Sequence, residues 1–183
     1  MSSPIPWILG AGVVAGAAWA WSQSGGAVPA GQPGRYFTWG ELTRSGEAER
    51  LGYSNEPTAD HYRRLGLLVV RVLDPLRASL GRPVSVTSGY RSVAVNQAIG
   101  GADASQHMTG EAVDIKVSGL SAIELARKVY DMQLPYDQLI WYAPERGGHV
   151  HISHAADRAP RRDLRHAPAS GGYPSFSFGG LNA

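Results

Sequence analysis

Residues 105–114 read Ser105-Gln-His-Met-Thr-Gly-Glu-Ala-Val-Asp114, and the fold prediction starts from this stretch. His107 and Asp114 stand on either side of a glycine, which permits a sharp turn. Apolar residues alternate around Asp114, at positions 113, 115 and 117, as in a half-buried strand. A neutral imidazole and an ionised carboxylate are good ligands for first-row metals. The stretch therefore predicts a loop and a strand that each supply one metal ligand.

A third ligand must come from elsewhere in the chain, and His151 is the best candidate. It lies in the segment His149-Val-His-Ile-Ser153, where alternate residues of a strand share a face. His149 and His151 would then point to one side, and the valine and isoleucine into the core. Three protein ligands, His107, Asp114 and His151, would leave one tetrahedral position for water, as in catalytic zinc sites. Residue types alone leave open a capping histidine and a surface carboxylate.

The complete pattern is more specific than its parts. Ser-x-His-x-x-Gly-x-Ala-x-Asp is followed by His-x-His and preceded by Ser88-Gly-Tyr-Arg-Ser92. With Phe37-Thr-Trp-Gly-Glu-Leu42 and Asp137-Gln-Leu-Ile140, the chain from Tyr36 to Ala159 resembles the M15 zinc peptidases, a family of D-alanyl-D-alanine carboxypeptidases and peptidoglycan endopeptidases. The resemblance implies a hedgehog/DD-peptidase-like α+β domain. It also implies Zn²⁺ on the open face of a small, mainly antiparallel sheet.

The implied activity is zinc-dependent hydrolysis of an amide bond in peptidoglycan stem peptides. A D-Ala-D-Ala carboxypeptidase is the first expectation, and an endopeptidase acting on the same peptides is the second. Arg91 stands where the family has an arginine associated with substrate binding or with the tetrahedral intermediate. A guanidinium suits this role, because it can hold a carboxylate or an oxyanion through two parallel hydrogen bonds. Without the neighbouring motif, Arg91 would be interpreted as a surface residue.

The chain departs from the family at the general base. Family members often carry an acidic residue shortly before the last metal histidine, but Gly148, His149 and Val150 stand here. His149 would lie about 6–7 Å from His151 on the same strand face, within reach of the reacting groups. We therefore predict that His149 takes part in proton transfer or that Glu145, or another carboxylate, replaces it. A solvent-facing histidine without function is the remaining interpretation.

Length and composition set the outer limits. The chain has 183 residues, 43% of them hydrophobic, which suits one core and is short for two domains. A net charge of +2 without a dense basic stripe argues against a nucleic-acid partner. Cysteine is absent, which excludes a disulfide framework, a thiolate zinc site and a cysteine nucleophile. We expect one peptidase domain at residues 35–160.

The N-terminal part is a separate segment. Residues 1–21 are apolar, and no charged side chain occurs before Arg35. The apolar run from Ile5 to Trp21 approaches the roughly 17–25 residues that cross a bilayer. We expect a membrane anchor, a signal peptide cleaved after Ala20 or Ala30, or an apolar tail buried in an assembly. Residues 22–34 are predicted to be a flexible linker. Each reading favours an extracytoplasmic location, on the periplasmic or cell-wall side or in a virion.

Local patterns predict the remaining elements. Thr38 with Glu41 and Ser121 with Glu124 form capping-box signatures at helix starts. A long helix is expected from Ala59 to Leu80, bent or broken at Pro75 because proline lacks a backbone donor. Ser105 and Gln106 are candidates for orienting the His107 ring.

The C-terminal region loses these patterns. Arg158, Arg161, Arg162 and Arg165 form a loose basic cluster, diluted by Asp157 and Asp163, which is typical of a solvated surface. We expect residues 161–183 to be disordered unless a partner orders them.

Two alternatives belong to other functional classes. The first is a non-catalytic cell-wall-binding or virion structural module that keeps the metal site, favoured by the missing acidic base and the apolar N-terminus. The second is a non-haem iron oxygenase, which also uses two histidines and one carboxylate. Those enzymes usually have a His-x-Asp/Glu spacing, so we rank this alternative last.

Overall fold

The computed structural model describes residues 29–179 of the chain. The predicted apolar segment 1–21 and residues 22–28 of the predicted linker lie outside this range. Within it, none of the helices has the length and apolar character needed to cross a membrane.

The described residues form one five-stranded sheet with helices packed against it. The helices are α1 (Trp39–Thr43), α2 (Gly46–Leu51), α3 (Ala59–Leu68), α4 (Asp74–Leu80), α5 (Val93–Ala98) and α6 (Ala122–Asp131). The strands are β1 (Ser85–Ser88), β2 (Ala112–Lys116), β3 (Gln138–Tyr142), β4 (Val150–Ser153) and β5 (Asp163–Ala167), in the order β1-β2-β4-β3-β5. All neighbouring strands are antiparallel except β3 and β5, which are parallel. The prediction of an α+β fold with a mainly antiparallel sheet is confirmed.

Both predicted capping boxes form. The Thr38 side chain accepts a hydrogen bond from the backbone of Glu41, whose carboxylate accepts one in return from the backbone of Thr38. Ser121 and Glu124 make the same reciprocal pair at the start of α6. Each pair satisfies backbone donors that a helix start leaves without partners, so these starts are encoded locally.

The long helix covers the predicted residues, from Ala59 to Leu80, and Pro75 does not break it. A π-helical turn, Val69–Leu73, joins α3 to α4, and its backbone closes through a bond from the N–H of Asp74 to the carbonyl of Val69. Pro75 follows in the first turn of α4. Pro75, which has no backbone N–H to donate, therefore lies where the hydrogen-bond pattern changes from π-helical to α-helical. The helix continues through this position. This run buries its apolar side against the rest of the core.

Alternation along the strands separates a core face from an open face. Val113, Ile115, Leu139, Val150 and Ile152 are fully buried in the core. The residues between them point to the opposite face. There the strand register aligns Asp114 with His151, His151 with Ile140, and Ile140 with Arg165. One row across four strands thus carries two predicted metal ligands and an arginine from β5.

The C-terminal prediction was wrong for residues 163–167. They form β5 at the edge of the sheet, paired in parallel with β3, and Leu164 and Ala167 are buried. Two more backbone bonds, from His166 to Pro174 and from Phe176 to Leu164, hold the following segment against β5. The strand was missed because Asp163, Arg165 and His166 hide its two apolar positions among polar residues. Residues 163–167 become ordered by pairing with the edge of the sheet, and local composition does not reveal such pairing.

Candidate metal centre

Three side chains converge on the open face of the sheet. Nε2 of His107, Nδ1 of His151 and Oδ1 of Asp114 form a triangle with sides of 3.1, 3.0 and 3.2 Å. His107 comes from the loop before β2, Asp114 from β2 and His151 from the neighbouring β4. Both imidazoles are buried, and the Asp114 side chain is 13% exposed. These residues form a group of ligand atoms that can hold a metal ion.

The triangle has the right size for a tetrahedral ion. Ligand atoms about 2.0–2.1 Å from a tetrahedral zinc ion lie roughly 3.3 Å from one another, close to the observed sides. The donor chemistry agrees. Nδ1 of His107 lies 2.7 Å from the carbonyl oxygen of Gly89 and donates to it, so Nε2 carries a lone pair. That lone pair faces a carboxylate oxygen of Asp114, and a cation between them turns this repulsion into attraction.

Gly89, in the turn after β1, fixes the orientation of the His107 ring. A Cβ at position 89 would lie 2.0 Å from the carbonyl oxygen of Leu42, so this turn can approach α1 closely only with glycine. Tyr90 also donates its backbone N–H to that carbonyl. The sequence predicted that Ser105 or Gln106 orients His107. In the structure Gly89 does so, and the Gln106 side chain contacts Asp137 instead.

Gly110 makes the turn that brings His107 back towards Asp114. Its φ is +72°, in the left-handed region that favours glycine. A Cβ here would also lie 2.7 Å from the carbonyl oxygen of His61 in α3. Glu111 stabilises the same turn, because its carboxylate accepts hydrogen bonds from Arg64 and from the backbone of Ala156. The glycine of the motif is therefore required by conformation and by packing.

Burial and neighbouring charges hold the ligands in the ionisation states that metals require. Burial lowers the pKa of His107, against the opposing effect of the Asp114 carboxylate, and favours the neutral imidazole. Burial alone would raise the pKa of Asp114. The contacts of this carboxylate with the two imidazoles instead hold that pKa well below its usual value. A neutral imidazole and an ionised carboxylate are the forms that bind metal.

Arg91 lies directly beside this centre. Its Nη2 is 3.2 Å from Oδ2 of Asp114, and its backbone N–H donates to the carbonyl of His107. Burial lowers the pKa of Arg91, and the Asp114 carboxylate opposes this effect. Nε of Arg91 is buried without a hydrogen-bond partner among residues 29–179. The guanidinium borders a cleft of about 390 Å³, which is also lined by His107, Asp114 and His151.

Comparison with known proteins agrees with this geometry. The family model described as Peptidase M15 matches residues 35–153, which contain the three clustered side chains and Arg91. The chain belongs to the M15 peptidase family. The zinc D-Ala-D-Ala carboxypeptidase of Streptomyces albus G is 34% identical to it over 92 residues, which cover 50% of this chain and 35% of that protein. The chain thus spans about a third of the length of this M15 relative. The resemblance stated from the motifs is confirmed.

His149, the predicted proton-transfer residue of this M15 domain, is half-buried beside the cleft. Its ring stacks on Tyr142, with centroids 4.1 Å apart and an angle of 18° between the planes. Burial lowers the pKa of His149, and the Asp114 carboxylate opposes this. Tyr142 is among the residues that line the cleft, whereas His149 is not. Glu145, the alternative, is exposed in a 3-10 helix, Pro144–Arg146, and is not among the cleft residues.

The cleft of the M15 domain also has a wall whose arginines sequence reasoning missed. Its residues come from the loop before His107, from β3, and from the region after residue 153: Gln106, Gln138, Tyr142, Arg161, Arg165 and Tyr173. The sequence pattern predicts that Arg161 and Arg165 belong to a solvated basic cluster, whereas the structure places both in the lining of the cleft. The parallel pairing of β3 and β5 could have identified Arg165, because that register places it beside Ile140. No short motif encodes this pairing.

Proposed function

We propose that this M15 domain is a zinc-dependent peptidase that hydrolyses an amide bond in peptidoglycan stem peptides. The observation that carries the proposal is the triangle of His107, Asp114 and His151 beside the partly buried guanidinium of Arg91. Three protein ligands leave an open coordination position, which distinguishes catalytic zinc sites from closed structural ones. His107, Asp114 and His151 would hold the ion.

The relative from Streptomyces albus supports the choice of substrate. That protein is a zinc D-Ala-D-Ala carboxypeptidase, so a peptide ending in D-Ala-D-Ala is our first candidate substrate. An endopeptidase that acts within the same stem peptides is the second. Because peptidoglycan lies outside the cytoplasmic membrane, we propose an extracytoplasmic location.

We assign a separate role in the reaction to the bound ion and to each residue around it. Bound zinc would act as a Lewis acid that activates water and polarises the scissile carbonyl. Arg91 would stabilise the oxyanion that develops on this carbonyl, because it presents a fixed positive charge beside Asp114. His149 does not line the cleft itself, but it stacks on Tyr142, which does, and the charges of Asp114 and Arg91 act on it, so it is our candidate for accepting or delivering a proton. Asp114 would also keep Arg91 in position.

Incubation of the purified full chain with defined stem peptides and zinc tests the proposal. We expect mass spectrometry to detect release of the terminal D-alanine, or of an internal fragment if the enzyme is an endopeptidase. Asp114→Ala should abolish both metal binding and hydrolysis. Asp103→Ala, an exposed carboxylate in the loop before His107, is the matched control and should behave as wild type. Intact peptides across several stem types, with zinc bound, would overturn the proposal.

A non-catalytic cell-wall-binding or virion module is the second candidate. The observation that favours it is the absence of a candidate acidic base from the described cleft, where Asp114 is the single carboxylate-bearing residue. Such a module should still sediment with purified cell walls after Asp114→Ala, whereas hydrolysis should be lost. Metal analysis of protein purified without added metal separates both candidates from the iron oxygenase, which would contain stoichiometric iron and little zinc.

A further inference from the structure

We propose that Arg161 and Arg165 form a subsite for a carboxylate group of the substrate, next to the metal centre. This inference rests on the proposed peptidase function and extends it, because it assigns a chemical feature to the peptide that is cut. Both arginines line the cleft that contains His107, Asp114 and His151. Both lie after residue 153, where the match to the M15 family ends. The subsite therefore lies outside the matched region.

Arg161 is held in place by a buried carboxylate. Asp137 is fully buried just before β3 and accepts hydrogen bonds from the backbone N–H of Arg161 at 2.9 Å and from Nε and Nη2 at 3.0 and 2.8 Å. It also accepts bonds from Gln106 and from Arg158. The Arg161 guanidinium is thus fixed on one edge. Its Nη1 makes no hydrogen bond to any residue between 29 and 179 and stays available to a ligand.

Arg165 approaches the cleft from the neighbouring strand. It lies opposite Ile140, which in turn lies opposite His151, so its Cα is two strand spacings, about 10 Å, from that of the metal ligand. Its Nε is bound to Asp163 at 2.8 Å, and its Nη1 donates to the carbonyl of Tyr173 at 3.1 Å. Within the described part of the chain its Nη2 has no hydrogen-bond partner. A second preorganised guanidinium is therefore available here.

The charges that border the cleft in this wall favour an anion. Arg161 and Arg165 line the cleft, whereas the carboxylates that pair with them, Asp137 and Asp163, are not among its lining residues. Asp137 is completely enclosed, so its carboxylate cannot meet a ligand. The Gln106 and Gln138 side chains also line the cleft and add amide groups, although Gln138 donates to Asp163. Charge-assisted bonds from planar guanidinium groups suit a carboxylate particularly well.

The carboxylate can belong to one of two parts of a peptide. In a carboxypeptidase substrate it is the C-terminal carboxylate, whose carbon lies about 4 Å from the scissile carbonyl carbon. In an endopeptidase substrate it is a carboxylate on a residue inside the peptide. Arg91 is separate from this subsite, because it lies against Asp114 and its proposed role is at the reacting carbonyl.

Matched peptides distinguish these sources by kinetics. The full chain with zinc is assayed on a peptide with a free C-terminus, on its C-terminal amide, and on a peptide whose carboxylate is internal. We expect wild type to prefer the carboxylate-bearing peptide by about tenfold or more in kcat/KM, mainly through KM, as for a charge-assisted hydrogen bond. Arg165→Gln and Arg161→Gln should reduce that preference to near unity. Arg162→Gln should keep it, because Arg162 contacts Leu134 and Gln133 outside the cleft.

Binding provides a readout that does not depend on turnover. Reduced-amide analogues of the same peptides cannot be hydrolysed, and isothermal titration calorimetry measures their affinity for the zinc-loaded chain. If wild type prefers the carboxylate analogue and Arg165→Gln does not, the result supports the subsite. If in addition no peptide is cut, the peptidase proposal is overturned and the subsite is not. Hydrolysis with equal rates and affinities for carboxylate and amide peptides would overturn the subsite alone.

Discussion

The carbonyl oxygen of Gly89 lies 2.7 Å from Nδ1 of His107 and ties the turn after β1 to the metal centre. The bond determines which imidazole nitrogen faces Asp114 and His151, so the ring presents a lone pair to the metal position. The same turn continues into Arg91, whose N–H donates to the carbonyl of His107. One turn therefore sets the orientation of a ligand and of the neighbouring guanidinium.

Gly89→Ala should destabilise the protein and weaken metal binding. The new Cβ would lie 2.0 Å from the Leu42 carbonyl oxygen, a backbone atom that cannot move without shifting α1. We expect a loss of roughly 3 kcal/mol in the free energy of unfolding and a lower zinc affinity, measured by chemical denaturation and metal competition. Gly46→Ala is the control, because nothing lies within 4 Å of a Cβ there. Equal behaviour of the two variants would contradict this account.

Arg91→Lys should preserve the metal and lower the rate. Asp114 can still pair with an ammonium group, but lysine lacks the planar fork that a developing oxyanion requires. We expect kcat/KM to fall roughly 100-fold, the size seen when one oxyanion donor is removed, with unchanged zinc content. Steady-state kinetics and metal analysis measure both quantities. Arg82→Lys, at an exposed position, is the control. If kcat/KM of Arg91→Lys equalled that of wild type, Arg91 would not stabilise the oxyanion as proposed.

The sequence predicted the three side chains that cluster in the structure, because their spacing has a local cause. The turn at Gly110, the alternation around Asp114 and the alternation around His151 are all short-range patterns, and the antiparallel pairing of β2 with β4 brings them together. Gly89 and Arg165, which lie around these side chains, could not be predicted from short-range patterns. Gly89 acts through a backbone carbonyl, and Arg165 reaches the cleft through parallel pairing across a long connection.

Asp137 supplies a prediction about pH. Burial alone would raise its pKa, but hydrogen bonds from Arg158 and Arg161 hold the pKa far below its usual value. A lowered folded-state pKa means that the ionised carboxylate favours the folded protein. This stabilisation is complete above the unfolded-state value of about 3.9 and is lost as pH falls towards the folded-state pKa.

Asp137→Asn should therefore cost stability at neutral pH and progressively less in acid. We expect about 2 kcal/mol at pH 7, since the variant leaves two arginines that water can partly solvate, and a shrinking difference from wild type below about pH 4. Denaturant unfolding across pH measures it. Asp131→Asn breaks an exposed pair with Arg127 and should change stability by less than about 0.5 kcal/mol. A difference that is independent of pH would show that the charge of Asp137 is not the stabilising feature.

Leu164→Ala tests whether β5 is part of the folded domain. Leu164 is 8% exposed, and it aligns with Leu139 of β3 on the core face of the sheet. Its truncation should lower the free energy of unfolding by about 2–4 kcal/mol, as for other buried leucines, measured by denaturant unfolding. Val93→Ala removes apolar atoms from a side chain that is 57% exposed and should have little effect. If both variants unfolded like wild type, residues 163–167 would contribute nothing to the core. The wall that carries Arg165 would then lack the support that its place beside Ile140 requires.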